Sequence, residues 1–282
     1  MSKGIKELLS FIDNSPTAFH AVSNISKILD DQGFSKLSES SPWDIKKGGK
    51  YYVSRNSTSI VAVKIGNNLD NYSFNIAASH SDSPNFKIKE NAEISVRDKY
   101  IQLNTEGYGG MIASTWLDRP LSVAGRVIIK NEKRYESRLV NIDRDLVLIP
   151  NLAIHMNRKV NEGISLNKQI DMLPLFAAGS KKKDALKNLI ADELGIDKND
   201  MYGSDLYLYN RMKSSIWGEN NEFFSAGRID NLECAFTSLK GFIKGANDSN
   251  IQIYACFDNE EVGSQTKQGA CLLYTSPSPR DR

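Results

Sequence analysis

The sequence predicts an α/β domain interrupted by an inserted β-rich domain, and three observations lead to this prediction. Apolar residues at helical spacing mark two helices at the start of the chain: Ile5, Leu8, Leu9 and Ile12 in the first, and Phe19, Val22, Ile25 and Leu29 in the second. From about residue 90 to 152, short β-branched runs separated by Gly, Asn and charged turns replace this pattern. The helical period returns over 231–242 and leads into an apolar run at 251–257. Helix–strand alternation on both sides of a β segment favours an insertion over two domains in series.

The remaining elements follow in chain order. Ser15-Pro16-Thr17 ends the first helix and starts the second. Strand-like runs follow at 51–55, 59–65 and 74–79, and the last of them ends at His80. A further helix is predicted over 184–194, ended by Gly195. These elements divide the chain into residues 1–90, the first part of the α/β domain; 91–218, the insertion; and 219–270, the second part.

Composition excludes several classes of protein. The formal net charge is only +2, with acids and bases interspersed, so we expect no nucleic-acid partner. There is no run of ~18 apolar residues, so no membrane-spanning segment is expected. Cys234, Cys256 and Cys271 have no CxxC spacing, which favours reduced thiols in a cytoplasmic protein.

Three polar clusters follow apolar, strand-like runs. His80 ends one strand, and Asp82 is placed to receive a hydrogen bond from its second ring nitrogen. Asp230 lies just before a helix, and a carboxylate there can bridge two metal ions. In the pair Glu260-Glu261 one carboxylate can hold a metal while the other acts as a base. If the three strands share a sheet, their ends converge on a His/Asp/Glu site suited to zinc.

Each cluster also has an ordinary structural interpretation. His80 could be a loop histidine, Asp230 a helix N-cap and the Glu pair a solvated turn. The sequence has no GxSxG nucleophile motif and no GxxxxGK[ST] phosphate loop, so those two chemistries have no support. Spacing alone leaves a metal-dependent hydrolase as one possibility among these.

Seven stretches distributed almost from end to end of the chain carry a resemblance to a known family: SPTAFHAV, GGKYYVSRN, ASHSDSPNFKIK, GYGGMIASTWLDRPLSVAGRV, IPNLAIHMNRKVNEG, EFFSAGRIDNL and FDNEEVGSQTKQGA. Together they resemble the aspartyl aminopeptidase family of dinuclear zinc metalloaminopeptidases. The resemblance implies a zinc-peptidase α/β sandwich domain with an inserted β-rich dimerisation domain. Ser81, where the family usually has Thr, is a conservative departure.

The resemblance also implies a role for each candidate residue. His80 matches a ligand of the first zinc, with Asp82 as the residue that orients it. Asp230 matches the carboxylate that bridges both ions, and Glu261 a ligand of the second. Glu260 matches the general base. His155 matches a histidine of the inserted domain that reaches a neighbouring subunit's active site.

The activity implied is hydrolysis of the N-terminal peptide bond of peptides by a metal-activated water. The implied cofactor is Zn²⁺, two ions per complete site, although Co²⁺ or Mn²⁺ would suit the same ligands. The implied partners are peptide substrates and further copies of the chain, in a cytoplasmic homo-oligomer built from dimers. Two other classes stay open: a non-catalytic, shell-forming or interaction relative, and a related dinuclear metal amidohydrolase.

Family members are considerably longer and contribute a later Asp or Glu and a later His to the metals. We therefore expect the α/β domain to be incomplete at its C-terminus and this chain to be an inactive fragment. Residues 271–282, CLLYTSPSPRDR, do not resemble the family. They are similar to a translated sequencing adapter, so we expect them to be foreign to the protein.

Overall fold

A computed structural model of the chain describes residues 3–131, 134–179, 184–246 and 248–270. It divides into two compact units, one formed by residues 1–83 together with 213–282 and the other by residues 84–212. The expected foreign segment, 271–282, lies outside the described residues. No described helix is long and apolar enough to cross a membrane.

The described residues form four helices and thirteen strands. The helices are α1 (Lys3–Asp13), α2 (Ala18–Asp31), α3 (Ala185–Leu194) and α4 (Ile229–Lys244). The strands are β1 (Ser35–Lys36), β2 (Lys50–Arg55), β3 (Ser59–Ile65), β4 (Phe74–His80), β5 (Asn85–Val96), β6 (Tyr100–Tyr108), β7 (Leu121–Asn131), β8 (Arg134–Asn141), β9 (Leu175–Ala178), β10 (Met201–Asn210), β11 (Ser215–Trp217), β12 (Phe223–Ser225) and β13 (Ile251–Phe257).

The discontinuous unit is built on a five-stranded mixed sheet of order β1-β2-β3-β13-β4. β13 is antiparallel to β3 but parallel to β4, with Ile251 opposite Phe74 and Phe257 opposite His80. Because parallel neighbours end at the same edge of a sheet, the residues after β4 and β13 emerge side by side. The predicted strands at 51–55, 59–65, 74–79 and 251–257 are confirmed within one residue at each end.

Helices α1, α2 and α4 pack in the core of this unit. The predicted stripe of α2 is fully confirmed, since all four of its residues are buried. In α1, Leu8, Leu9 and Ile12 are buried but Ile5 is only partly so, and Phe11 is buried instead. The Phe11 ring lies 5.3 Å from that of Phe236 on α4, measured between centroids. This contact ties the first helix to the helix that begins beside Asp230.

The continuous unit, 84–212, contains a six-stranded sheet of order β8-β7-β10-β5-β6-β9, antiparallel throughout. This confirms the predicted β-rich character of the middle of the chain. One β-branched run of this region, LVLIP at 146–150, forms no regular strand, because residues 147–149 make only isolated bridges. Helix α3 confirms the predicted helix and ends at Gly195, whose left-handed φ of 64° suits glycine.

Replacing Gly125 with Ala should destabilise the β-rich unit. A Cβ at Gly125 would lie 2.0 Å from the carbonyl oxygen of Asp205 on the paired strand β10, so the backbone would have to move. Overpacking of this kind costs about 1–3 kcal/mol. A lower midpoint of urea unfolding would measure it. Gly203→Ala on β10 is the matched control, since nothing lies within 4 Å of its Cβ position.

Stability should also depend on pH through His20. Its Nδ1 lies 2.9 Å from the Thr17 hydroxyl. Burial, helped by the charges of Lys27 and Arg228, lowers the pKa of His20 to about 4, from an ordinary value near 6.5. Between pH 6.5 and 4 the imidazole is therefore protonated in the unfolded chain but mostly neutral in the folded chain. The free energy of unfolding accordingly falls as the pH drops through this range. The loss in the free energy of unfolding reaches up to about 3 kcal/mol. Urea unfolding of wild type and His20→Gln between pH 6.5 and 4 should show a smaller loss in the variant.

Candidate metal site

The parallel pair β4 and β13 brings two of the predicted clusters together. His80 is the last residue of β4, and Glu260 and Glu261 open a short 3₁₀ helix three residues beyond the end of β13. Ser81 ties the two strand ends together, because its backbone N–H donates to the carbonyl of Phe257 at 2.8 Å. The predicted convergence of these two clusters at one edge of a sheet is therefore observed.

Asp230 reaches the same place by another route. The strand before it, β12, pairs only with β11 in a separate two-stranded sheet, so the expectation that all three clusters follow strands of one sheet is wrong for Asp230. It is not the N-cap of α4 either, since Arg228 has that position. Asp230 and Asn231 have non-helical dihedral angles within α4. The carboxylate is thus presented by an irregular first turn.

His80 stands at the centre of the cluster. Its Nδ1 lies 3.2 Å from Asp82 Oδ1 and 3.1 Å from the Asp82 carbonyl. Its Nε2 lies 3.3 Å from Asp230 Oδ1 and 3.8 Å from Glu260 Oε2. A proton on Nδ1, donated to Asp82, leaves the Nε2 lone pair directed at the other carboxylates, which is the tautomer that a metal ligand needs.

Asp82 also connects the two strand ends. Its side chain is only 4% exposed. Oδ1 accepts the backbone N–H of Glu260 at 3.3 Å, and Oδ2 accepts that of Glu261 at 3.2 Å. The carboxylate therefore fixes the histidine ring and the start of the glutamate turn at the same time. Sequence reasoning predicted the first role and missed the second, because backbone donors leave no signal in residue identity.

The cluster carries excess negative charge. Burial raises the pKa of Glu261, and the carboxylates of Asp82, Asp230 and Glu260 raise it further, against the opposing effect of His80. Burial alone would lower the pKa of His80, but the hydrogen bond to Asp82 and the charges of Asp82, Glu260 and Asp230 outweigh it, and the pKa is raised. Both raised pKa values mean that the neighbouring carboxylates favour the binding of a positive charge in this cluster.

A divalent cation bound here would neutralise part of the excess negative charge. The donors are one imidazole and carboxylates, the set that suits zinc and neighbouring transition ions. When the histidine is neutral with its proton on Nδ1, His80 Nε2 and Asp230 Oδ1 are both acceptors, yet they face each other at 3.3 Å. A cation between them would bind both. Within residues 3–131, 134–179, 184–246 and 248–270, no three His, Cys, Asp or Glu side chains form a metal-binding group as they stand. The donor types suit such a metal, and His80 Nε2 approaches carboxylate oxygens of Asp230 and Glu260 at 3.3 and 3.8 Å.

His155 is the one predicted site residue outside this cluster. It belongs to the β-rich unit, in an exposed turn. Its neighbours Ile154 and Met156 are exposed as well, at 54% and 68%.

Sequence reasoning also missed the residues that hold the glutamate turn. Asn259 has a left-handed φ of 61°, and its side-chain oxygen accepts a hydrogen bond from the Thr266 hydroxyl at 2.7 Å. The Asp258 backbone N–H donates to the carbonyl of Gln268 at 3.0 Å. Gly269 closes the loop, since a Cβ there would lie 2.1 Å from the Ser264 carbonyl oxygen. An Asn that directly precedes the glutamates was the one available signal for a left-handed residue.

The chain is similar to known proteins along nearly its whole length. Residues 11–277 match the family model described as aminopeptidase I zinc metalloprotease (M18). A probable M18 family aminopeptidase 2 of Clostridium novyi is 49% identical over 274 residues, which are 95% of this chain and 63% of the relative. Aspartyl aminopeptidase 4 of Saccharomyces cerevisiae is 38% identical over 300 residues, covering 94% of this chain and 61% of the relative.

Solved structures agree. The structure of an Ape4 and Nbr1 complex superposes with a TM-score of 0.91 at 33% identity, over 96% of this chain and 57% of that one. A dodecamer of mApe1 from S. cerevisiae superposes with a TM-score of 0.81 at 27% identity, over 94% of this chain and 62% of that one. The chain thus spans less than two thirds of these relatives. It belongs to the M18 family of aminopeptidase I zinc metalloproteases, which confirms the resemblance to the aspartyl aminopeptidases.

Proposed function

We propose that this chain carries part of the dinuclear metal site of an aminopeptidase that hydrolyses the N-terminal peptide bond of peptides. The observation that carries the proposal is that carboxylate oxygens of Asp230 and Glu260 lie 3.3 and 3.8 Å from His80 Nε2, in a member of a zinc metalloprotease family. The excess negative charge of the cluster supports a cationic cofactor rather than a structural ion pair.

In this proposal His80, Asp230 and Glu261 would hold the metal. Asp82 keeps the proton of His80 on Nδ1, so that Nε2 offers its lone pair. Asp230 has two carboxylate oxygens and can serve two ions at once. Zinc is the proposed metal, two ions in a complete site, with Co²⁺ and Mn²⁺ as substitutes that the same donors accept.

When bound, the metal supplies Lewis-acid polarisation of the scissile carbonyl and lowers the pKa of the attacking water. Glu260 then acts as the general base: a carboxylate oxygen takes the proton of the water and later gives it to the leaving amide nitrogen. Its side chain is 57% exposed, so a substrate can reach it. The backbone N–H of Glu260 donates to Asp82, and this hydrogen bond keeps Glu260 next to His80.

We further propose that the protein acts in a homo-oligomer built from dimers through the β-rich unit, where His155 completes a neighbouring subunit's site. Exposed apolar residues on both sides of His155 support an interface there. A dodecamer is recorded for one relative. We also propose a cytoplasmic location. Cys234 and Cys256 are free thiols, and reduced thiols are typical of cytoplasmic proteins.

The metal site is tested by zinc binding to the purified chain, measured by calorimetry and metal analysis. We expect His80→Gln and Asp230→Asn each to lose zinc or to bind it at least about 10-fold more weakly, since each removes a ligand. Asp70→Asn, an exposed carboxylate in the same unit, is the matched control and should bind like wild type.

Activity is tested in the full-length protein. A peptide with a free N-terminus should be cleaved at its first bond, and its N-acetylated form should not. Zinc binding without any cleavage would favour a non-catalytic relative. Cleavage of other amide bonds alone would favour a related amidohydrolase.

A further inference from the structure

The carboxylate of Asp230 is not held in place by packing. Its side chain is 84% exposed, whereas those of His80 and Asp82 are 11% and 4% exposed. Its backbone dihedral angles are non-helical, although the residue lies in the first turn of α4. Because the side chain is exposed, the position of this carboxylate depends on the contacts that fix the main chain around it.

Ser83 holds the main chain at Asp230 itself. The Ser83 hydroxyl donates a hydrogen bond of 2.9 Å to the Asp230 carbonyl oxygen, and Ser83 is buried. The donor lies three residues beyond His80, on the segment that leaves β4. This bond thus couples the main chain of one proposed ligand to the strand end that carries another.

Arg228 holds the same segment two residues upstream. Its Nη2 donates to the carbonyl of Ile12 at 3.0 Å. Ile12 lies in the last turn of α1, where carbonyls have no partner within the helix and the helix dipole favours a cation. The backbone of Arg228 has a left-handed φ of 55°, which a non-glycine residue keeps only where its surroundings impose it.

Helix α1 is a firm anchor for Arg228 because other contacts bind it to α4. Lys240 on α4 donates to Glu7 at 2.8 Å, and the Phe11 and Phe236 rings pack together. Asp13 accepts hydrogen bonds from the backbone and hydroxyl of Ser214, at 3.0 and 2.6 Å. The Asp13–Ser214 contact therefore holds the same end of α1 as Arg228 does, but it does not involve the segment around Asp230.

We infer that Ser83 and Arg228 are positioning residues for the metal-binding carboxylate of Asp230. Ser83 fixes its main chain to the β4 end, and Arg228 fixes the preceding turn to the C-terminus of α1. The inference rests on the proposed function for the identity of the metal. The restraint on the main chain does not depend on it.

Ser83→Ala and Arg228→Met test this in the purified chain by two measurements. Zinc should bind about 10–100-fold more weakly to each variant, as expected when a residue that orients a ligand is lost. In metal-free protein, amide hydrogen exchange over residues 229–232 should be faster than in wild type. Ser83→Thr and Arg228→Lys keep a donor and should restore much of both properties.

Ser214→Ala is the matched control, because it removes a hydroxyl contact at the same end of α1. It should leave zinc affinity and the exchange of residues 229–232 unchanged even if it lowers Tm. The inference is overturned if Ser83→Ala and Arg228→Met match wild type in both measurements, or if Ser214→Ala changes both equally. If wild type binds no zinc, or Asp230→Asn binds it normally, the proposed function fails, and the exchange measurement still decides this inference.

Discussion

Glu260→Gln should abolish most of the turnover while leaving the metal in place. The two side chains have nearly the same shape, but an amide cannot take a proton from water at neutral pH. Loss of a general base costs about 10²–10⁴-fold in rate. Because the proposed role of Glu260 is proton transfer rather than ligation, the zinc content should stay at the wild-type level. The measurements are kcat in the full-length protein and zinc content by metal analysis.

Glu261→Gln is the matched comparison, since it makes the same chemical change one residue away. It should weaken zinc binding, because Glu261 is the proposed ligand of the pair. Unimpaired turnover in Glu260→Gln would remove the role of general base. If Glu260→Gln lost zinc while Glu261→Gln kept it, the two assignments would have to be exchanged.

The part of the site that sequence could predict is the part that follows from strand order. Apolar runs that end in His80 and in Asp258-Asn259-Glu260-Glu261 predict two strand ends, and the parallel pairing of β4 with β13 brings them together. The family resemblance supplied the same residues independently. The core stripes of α1 and α2 were predictable because helical periodicity depends only on the positions of apolar residues.

Asp230 shows where such prediction stops. The apolar residues before it indicated a strand of the main sheet, yet β12 forms a separate ribbon, and the carboxylate is presented by an irregular turn. Local pattern does not encode whether a three-residue strand joins the main sheet or pairs only with its neighbour, as β12 does with β11, since strand pairing depends on tertiary context. The hydrogen bonds from Ser83 and to Ile12 span 147 and 216 residues. Contacts of this kind are determined by the fold and leave no trace in spacing.

Asp82→Asn should produce the second large effect, since one buried carboxylate serves three donors. Both of its oxygens accept backbone N–H groups, from Glu260 and Glu261, and Oδ1 also faces His80 Nδ1. In the amide, one oxygen becomes an NH₂ group that meets another donor. Hydrogen bonds to charged groups contribute about 1.5–3 kcal/mol each, so unfolding should cost about 3 kcal/mol less. Zinc affinity should fall by about 10–100-fold, because His80 loses the partner that fixes its tautomer.

Asp13→Asn separates these two consequences. Asp13 also accepts two donors, both from Ser214, but has no contact with the metal cluster. It should lower the free energy of unfolding by less than Asp82→Asn does, because the amide oxygen can still accept both Ser214 donors at Oδ1, and zinc affinity should stay normal. Urea unfolding and zinc titration of the two variants in parallel measure both quantities. A loss of stability in Asp82→Asn without any loss of zinc affinity would show that Asp82 fastens the strand ends only. The orientation of His80 would then have to come from the rest of the cluster.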